Sequence, residues 1–373
     1  MKITIIAGAR PNFMKIAPII SAIQDSQSSG SELQYRLVHT GQHYDKNMSQ
    51  QFFKQLDIPE PDANLECGGG THAEQTAKIM IAFEKELIEN PADLVLVVGD
   101  VTSTLACSIV AKKLQTKVAH VEAGIRSYDL TMPEEINRML TDSISDYFFT
   151  TSINANGNLL KSGISSNRIF FVGNTMIDTL LKHQNNFSAP ELWEKLSLQP
   201  QQYFILTLHR PANVDQEESL GRLMNEIIIG AKKLPIIFPV HPRTAKKLLE
   251  IGITAPNLHM VDPLGYLEFN YLVKHAKAVI TDSGGITEET TVLGVPCMTL
   301  RDNTERLETI LEGTNELIGT APEKLKPAFE KLFNNQWKKG KIPLLWDGNT
   351  SKRIVKILET LQLAHVPEVI PAL

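Results

Sequence analysis

The run Leu94-Val95-Leu96-Val97-Val98 is apolar without a break and stops abruptly at Gly99-Asp100. A strand with one wet face alternates apolar and polar residues, so an uninterrupted run of this kind needs cover on both faces. That restricts the chain to an α/β architecture, a mostly parallel sheet with helices on either side. The surrounding sequence agrees. Residues 2–7, 35–40, 117–121, 147–150 and 169–172 read as further strands, and 13–23, 71–88, 103–114 and a stretch opening at Pro133 have helical periodicity.

The pattern restarts after a polar break at 184–194. Strands are expected at 203–207, 235–240, 258–260, 278–281 and 296–300, and helices at 217–232, 267–275 and 285–293. At 373 residues the chain exceeds what one growing core accommodates. The expected fold is therefore α/β, two Rossmann-like doubly wound lobes with a cleft between them. A first domain at 1–172 carries catalysis, a second at 173–350 binds the ligand, and 351–373 holds a last amphipathic helix crossing back to the first.

A net charge of -5 argues against a nucleic-acid surface but permits a local pocket for a small anion. Cys67, Cys107 and Cys297 form no CxxC pair or zinc spacing, so reduced thiols and a cytoplasmic location are expected, with no metal and no cofactor. The apolar run after Met1 is shorter than a signal peptide requires, and nothing later approaches the length of a membrane span.

Ligands of open α/β sheets gather beyond the carboxyl ends of strands, which makes a strand-end acid a candidate. Asp100 follows residues 94–99 and Glu122 follows 117–121. Each has a plainer explanation: Asp100 as a helix cap, Glu122 as the partner of Arg126. Glu134 and Arg138 stand four apart on one helix face, although an acid in the first turn also favours the helix dipole. Glu135 lies on another face and reads as solvated. Carboxylates crowded together should raise at least one pKa, setting a proton donor beside an acceptor. Arg10 and Lys15 flank the first strand-to-helix turn, where a guanidinium fork, a point charge and helix-end amides suit phosphate. The turn lacks GxGxxG and is no dinucleotide fingerprint. His39 and His43 are secondary pocket candidates.

In the second half, Asp282-Ser283-Gly284-Gly285 reads as strand, turn and helix start, with two glycines allowing close approach of phosphate. Glu289, further along that helix, suits vicinal ribose hydroxyls. His209-Arg210 and His241-Pro242-Arg243 follow strands, and Arg301 and Arg306 bracket the end of another. Arginines beside these histidines fit an anion better than a metal.

These residues, in this order, closely resemble the non-hydrolysing UDP-N-acetylglucosamine 2-epimerase family across almost the whole chain. The resemblance runs through Gly8-Ala9-Arg10-Pro11 with Lys15, Thr40-Gly41-Gln42-His43, Val98-Gly99-Asp100 and His120-Val121-Glu122-Ala123-Gly124. It continues through Pro133-Glu134-Glu135-Ile136-Asn137-Arg138, His209-Arg210, Asp282-Ser283-Gly284-Gly285 and Thr304-Glu305-Arg306. It implies a GT-B-like pair of lobes, a cytoplasmic homodimer, and formation of UDP-N-acetylmannosamine for surface polysaccharides through elimination of UDP and its re-addition to 2-acetamidoglucal. It assigns catalysis to Asp100, Glu122, Glu134 and His209. Arg10, Lys15, Arg138, Ser283, Gly284, Gly285, Glu289 and Arg306 would bind substrate or support the site. A second, activating UDP-N-acetylglucosamine would use Gln42, His241 and Arg210.

The chain departs from the family pattern at Asn12, at Ala212 where a glutamate is common, and at Leu307 where proline is usual. Relatives acting on diacetamido uronic acids share the motifs. A GT-B glycosyltransferase, a hydrolysing epimerase and a nucleotide-sugar sensor are the competing classes.

Overall fold

The computed structural model describes residues 1–41, 53, 55–214, 217–240 and 242–363, the side chains at 10, 211, 212, 242, 243 and 363 excepted. The chain forms two compact units: Met1–Lys182 together with the segment from Leu344 onward, and His183–Pro343.

The first unit is built on a parallel sheet of seven strands among the described residues: β1 (Lys2–Ala7), β2 (Gln34–His39), β3 (Ala63–Asn64), β4 (Leu94–Val98), β5 (Lys117–Val121), β6 (Tyr147–Thr150) and β7 (Ile169–Phe171). They lie in the order β3-β2-β1-β4-β5-β6-β7. All five residues of β4 are buried, as their composition demands. Helices α1 (Arg10–Ser28), α2 (His72–Glu89), α3 (Thr102–Lys113), α4 (Pro133–Ile144), α5 (Ile153–Lys161) and α6 (Thr175–His183) connect and cover the strands. Thr71 caps α2 reciprocally with Glu74, which is why that helix starts where it does.

The second unit repeats the plan with α7 (Glu191–Lys195), β8 (Phe204–Thr207), α8 (Pro211–Val214), α9 (Glu217–Gly230), β9 (Ile236–Pro239) and α10 (Pro242–Glu250). It continues through β10 (Leu258–Val261), α11 (Tyr266–His275), β11 (Ala278–Thr281), α12 (Gly284–Leu293), β12 (Cys297–Thr299), α13 (Leu307–Leu311), β13 (Asn315–Leu317) and α14 (Leu325–Phe333). Its parallel sheet has the order β10-β9-β8-β11-β12-β13. Both sheets thus reverse direction once, between β1 and β4 in one and between β8 and β11 in the other. These are the Rossmann-like doubly wound folds of GT-B-like proteins. At each reversal, neighbouring loops leave on opposite faces and open a crevice above the carboxyl ends of the strands.

The final helix α15 (Thr350–Leu363) packs on α1 of the first unit. Asp178 on α6 accepts from the amides of Thr350 and Ser351 at 3.0 and 2.6 Å, and Trp346, almost fully buried, donates its indole N–H to Thr151 O at 3.0 Å. No helix among the described residues is long and apolar enough to cross a membrane.

Candidate active site

The crevice of the first sheet is knitted by Asn12. Its Oδ1 accepts from the amides of Gly8 and Ala9, both at 3.0 Å, and its Nδ2 donates to Val98 O at 3.1 Å, tying the turn after β1 to the end of β4. Asp100 and Glu122 emerge beside each other, because Val98 of β4 pairs with Val121 of β5.

Each carboxylate meets a cation. Arg138 on α4 bonds Asp100 through Nη2, and Lys15 on α1 reaches Glu122 Oε2 at 2.7 Å. Both cations are buried. Lys15, expected near phosphate, here pairs with a carboxylate of its own unit. Arg126, the expected partner of Glu122, instead bonds Asp142 Oδ2 at 2.7 Å. Glu122 sits at φ 71°, the left-handed region that a residue with a β-carbon seldom adopts, so its turn is held by its surroundings.

Glu134 is exposed on the first turn of α4. Glu135, expected to be solvated, is fully buried. It accepts from Ser127 N, Ser127 Oγ and Tyr128 N, each at 3.0 Å, and pairs with Arg138 Nη1 at 2.6 Å. Arg138 therefore bridges Glu135 and Asp100, and the three-residue spacing matters as much as the four-residue one. His120, also fully buried, places Nε2 2.8 Å from Gly99 O and Nδ1 2.7 Å from Asp142 Oδ1. Sequence reasoning missed this pair. His39 is a core residue stacked on Phe13, and burial lowers its pKa against a hydrogen bond that its ring donates to Asn64 Oδ1.

At the reversal of the second sheet, His209 follows β8 and Asp282 follows β11. The His209 side chain is 62% exposed, yet its Nδ1 lies 2.6 Å from Asp282 Oδ1. Asp282 also accepts from the amides of His209 and Arg210 and from Asn213 Nδ2, at 2.9–3.2 Å. Burial pushes the Asp282 carboxyl upward, but His209 and these donors outweigh it and hold the group below its ordinary range. The orienting role of Asp282 was missed. The strand-end rule that singles out Asp100 applies equally to it. Arg210 donates from Nε to Asp282 O at 3.2 Å.

Ser283 precedes α12, whose first amides have no acceptor within the helix and carry the positive end of its dipole. A β-carbon on Gly284 would come within 2.7 Å of Arg306 Nη1, so glycine is what lets the guanidinium approach this loop. Arg306 is buried, with Nε 2.7 Å from Glu288 Oε1 and Nη1 on Glu305, while Arg301 Nη2 lies 2.6 Å from Glu305 Oε2. The two arginines, expected as cations for a ligand, already share their charge with carboxylates. Glu289 is buried beside Tyr266 and Asn270, and burial pushes its carboxyl up to about 7 against their hydrogen bonds.

The Arg10 side chain, Gln42, His43 and His241 lie outside the described residues. No cluster of three or more metal-ligating side chains occurs among the residues described.

Residues 26–359 match the family described as UDP-N-acetylglucosamine 2-epimerase. The chain is 44% identical over 371 residues to the UDP-N-acetylglucosamine 2-epimerase of Methanocaldococcus jannaschii, covering 96% of this chain and 99% of that one. It is 41% identical over 327 residues to the UDP-2,3-diacetamido-2,3-dideoxy-D-glucuronate 2-epimerase of Pseudomonas aeruginosa, covering 86% and 89%. The crystal structure of the Methanocaldococcus jannaschii enzyme in complex with UDP-GlcNAc and UDP superposes with a TM-score of 0.87, covering 96% of this chain and all of that one.

Proposed function

The chain belongs to the UDP-N-acetylglucosamine 2-epimerase family, and from that premise we propose that it inverts C2 of UDP-N-acetylglucosamine without net hydrolysis, giving UDP-N-acetylmannosamine. The C2 proton of a hexosamine is not adjacent to a carbonyl, so enolisation is no route. A carboxylate takes the proton, the C1–O bond breaks with its electrons leaving on UDP, and a C1–C2 double bond remains in 2-acetamidoglucal. Elimination is anti. Protonation of C2 on the opposite face and re-addition of UDP at C1 complete the inversion.

We assign the proton work to Asp100, Glu122 and Glu134. The observation that carries this is the pair of adjacent strand ends, β4 and β5, each closing in a carboxylate with a buried cation of its own. The fixed cation beside each carboxylate holds it in place at its strand end. Exposed Glu134 is assigned as the acid that meets solvent. His209, oriented by Asp282, is assigned to the departing diphosphate, because a ring held through Nδ1 presents Nε2 outward. Ser283, Gly284 and Gly285 at the start of α12 take phosphate oxygens, Arg306 braces that loop, and Glu289 takes the ribose hydroxyls. Arg10 is proposed at the diphosphate on its place after β1. Gln42, His241 and Arg210 are proposed for a second, activating UDP-N-acetylglucosamine, which sigmoidal initial rates would reveal.

Incubation with UDP-N-acetylglucosamine in deuterated water, followed by NMR, tests the reaction. UDP-N-acetylmannosamine carrying deuterium at C2 is expected, and product without it sinks the mechanism. The 41% identity to a diacetamido-glucuronate epimerase supports one second reading, in which the substrate is that class of UDP-sugar. Turnover confined to diacetamido uronic acids in the same assay would establish it.

We also propose a homodimer. Ile136, Met139 and Leu140 share one face of α4 and are exposed at 44%, 42% and 46%, a contiguous apolar set of the kind that a second copy covers. Light scattering of the intact chain decides it, a monomer being the contrary outcome.

A further inference from the structure

His120 lies on β5, between Val97 of β4 and Phe148 of β6, with none of its surface exposed. Its two ring nitrogens face two different acceptors. Gly99 O, 2.8 Å from Nε2, is a carbonyl and can only accept, so Nε2 carries a hydrogen. Asp142 Oδ1 stands 2.7 Å from Nδ1. The other oxygen of Asp142 takes the Gly124 amide at 3.1 Å and Arg126 Nη1 at 2.7 Å. Arg126 is a permanent cation, which makes this carboxylate the ionised member of their pair; burial pushes the carboxyl upward, and His120 and Arg126 keep it below its ordinary range. An ionised carboxylate also only accepts, so Nδ1 carries a hydrogen as well. A neutral imidazole has one N–H, and two describe the cation.

We propose that His120 is a buried imidazolium that positions both strand-end acids, holding the Gly99–Asp100 peptide through Nε2 and the Glu122–Gly124 turn through Asp142. The role rests on the reading that Asp100 and Glu122 move the protons. Asp142 faces the ring from α4, and Arg126 stands behind it from the turn after β5. The row runs cation, anion, cation, with the anion shared, an arrangement that offsets part of the cost of burying each charge. It also explains how Glu122 is kept at its positive φ: the Gly124 amide two residues on is anchored to the same carboxylate. A planar ring with opposed N–H groups spans a carbonyl and a carboxylate at fixed separation. Glutamine and lysine cannot reproduce that span.

The experiment is ring NMR on the full chain labelled with nitrogen-15 in histidine, with the His120 signals identified by their loss in His120→Gln. Two ring protons are expected, whereas a neutral histidine carries one. A single ring proton overturns the proposal. His120→Gln should lower kcat by roughly 10- to 100-fold, leaving KM within about a factor of two, since a small misplacement near the chemistry costs rate more than binding. Unchanged kcat in folded His120→Gln overturns the positioning role. If that variant does not fold, Asp142→Asn serves: loss of one ring proton and of kcat is expected, and retention of both is the contrary result. Wild-type protein that leaves C2 unexchanged removes the functional reading and the positioning role with it, while the ring spectrum still decides the charge.

Discussion

Lys15 and Glu122 face each other at 2.7 Å with about one-twentieth of either side chain exposed, one from the helix after β1 and the other from the end of β5. The pair spans β4, and the backbone of Gly99 leaves room for it: a β-carbon there would stand 2.9 Å from Lys15 Nζ. Removing one member of a buried pair costs roughly 3–5 kcal/mol, because the other charge stays in a poor solvent. Lys15→Met should therefore lose about that much in urea denaturation. Lys15→Met with Glu122→Gln should recover most of it while remaining inactive. Equal loss in the single and double variants would show that the pair is not what Lys15 contributes.

Glu289 gives a pH signature of known sign. Its carboxyl is pushed up to about 7 in the folded chain. Between the ordinary glutamate value and 7 the folded state holds the extra proton, so this contribution to stability is present below the unfolded pKa and lost as pH rises through 7. Glu289→Gln should flatten the stability profile between about pH 5 and 8. On the proposed ribose role, for which the ionised carboxylate is the stronger acceptor, UDP affinity of the wild type should rise over the same interval. Calorimetric titration with UDP at several pH values measures it.

His209 and Asp282 should act as a unit. Asp282→Asn preserves the shape but weakens the hold on Nδ1, and supporting partners of this kind are worth roughly 10- to 100-fold in activity. His209→Asn should cost about 10²- to 10⁴-fold in kcat, the range for a positioned acid or base. The double variant should be little worse than His209→Asn alone. Multiplying effects would show two independent roles.

Gly284→Ala probes the proposed phosphate loop without removing a charge. The new methyl displaces Arg306 from a position that Glu288 and Glu305 also hold, and overpacking of this kind costs about 1–3 kcal/mol. UDP affinity should fall roughly tenfold, or ~1.4 kcal/mol. Gly221→Ala, at an open helical position, is the control and should leave affinity unchanged.

What was legible in the chain were features whose cause is local. The apolar run of β4 dictates a buried strand, and the acids at 100 and 122 are conspicuous because each directly follows such a run. Partnerships were not legible. Glu135 reads as solvated from helix spacing, yet three donors from residues 127 and 128 fold back over it. The helices α5, α6, α7, α8, α10, α13 and α14 and the strands β3 and β13 went unread. The last is three residues, Asn-Glu-Leu, too short and polar to announce itself, and it forms because β12 offers an edge to pair with.

The return of the chain to its first unit has a consequence for how the protein is made. Trp346, Ile354, Val355 and Leu358 are buried in a body whose other members all precede residue 183. A ribosome delivers them only after residues 183–343. Residues 183–343 emerge as a complete set and can close their own core while the earlier body still lacks its final helix. The half synthesised first is thus the half finished second, and until α15 emerges its open flank on α1 is apolar surface that a chaperone, or another nascent chain, can reach.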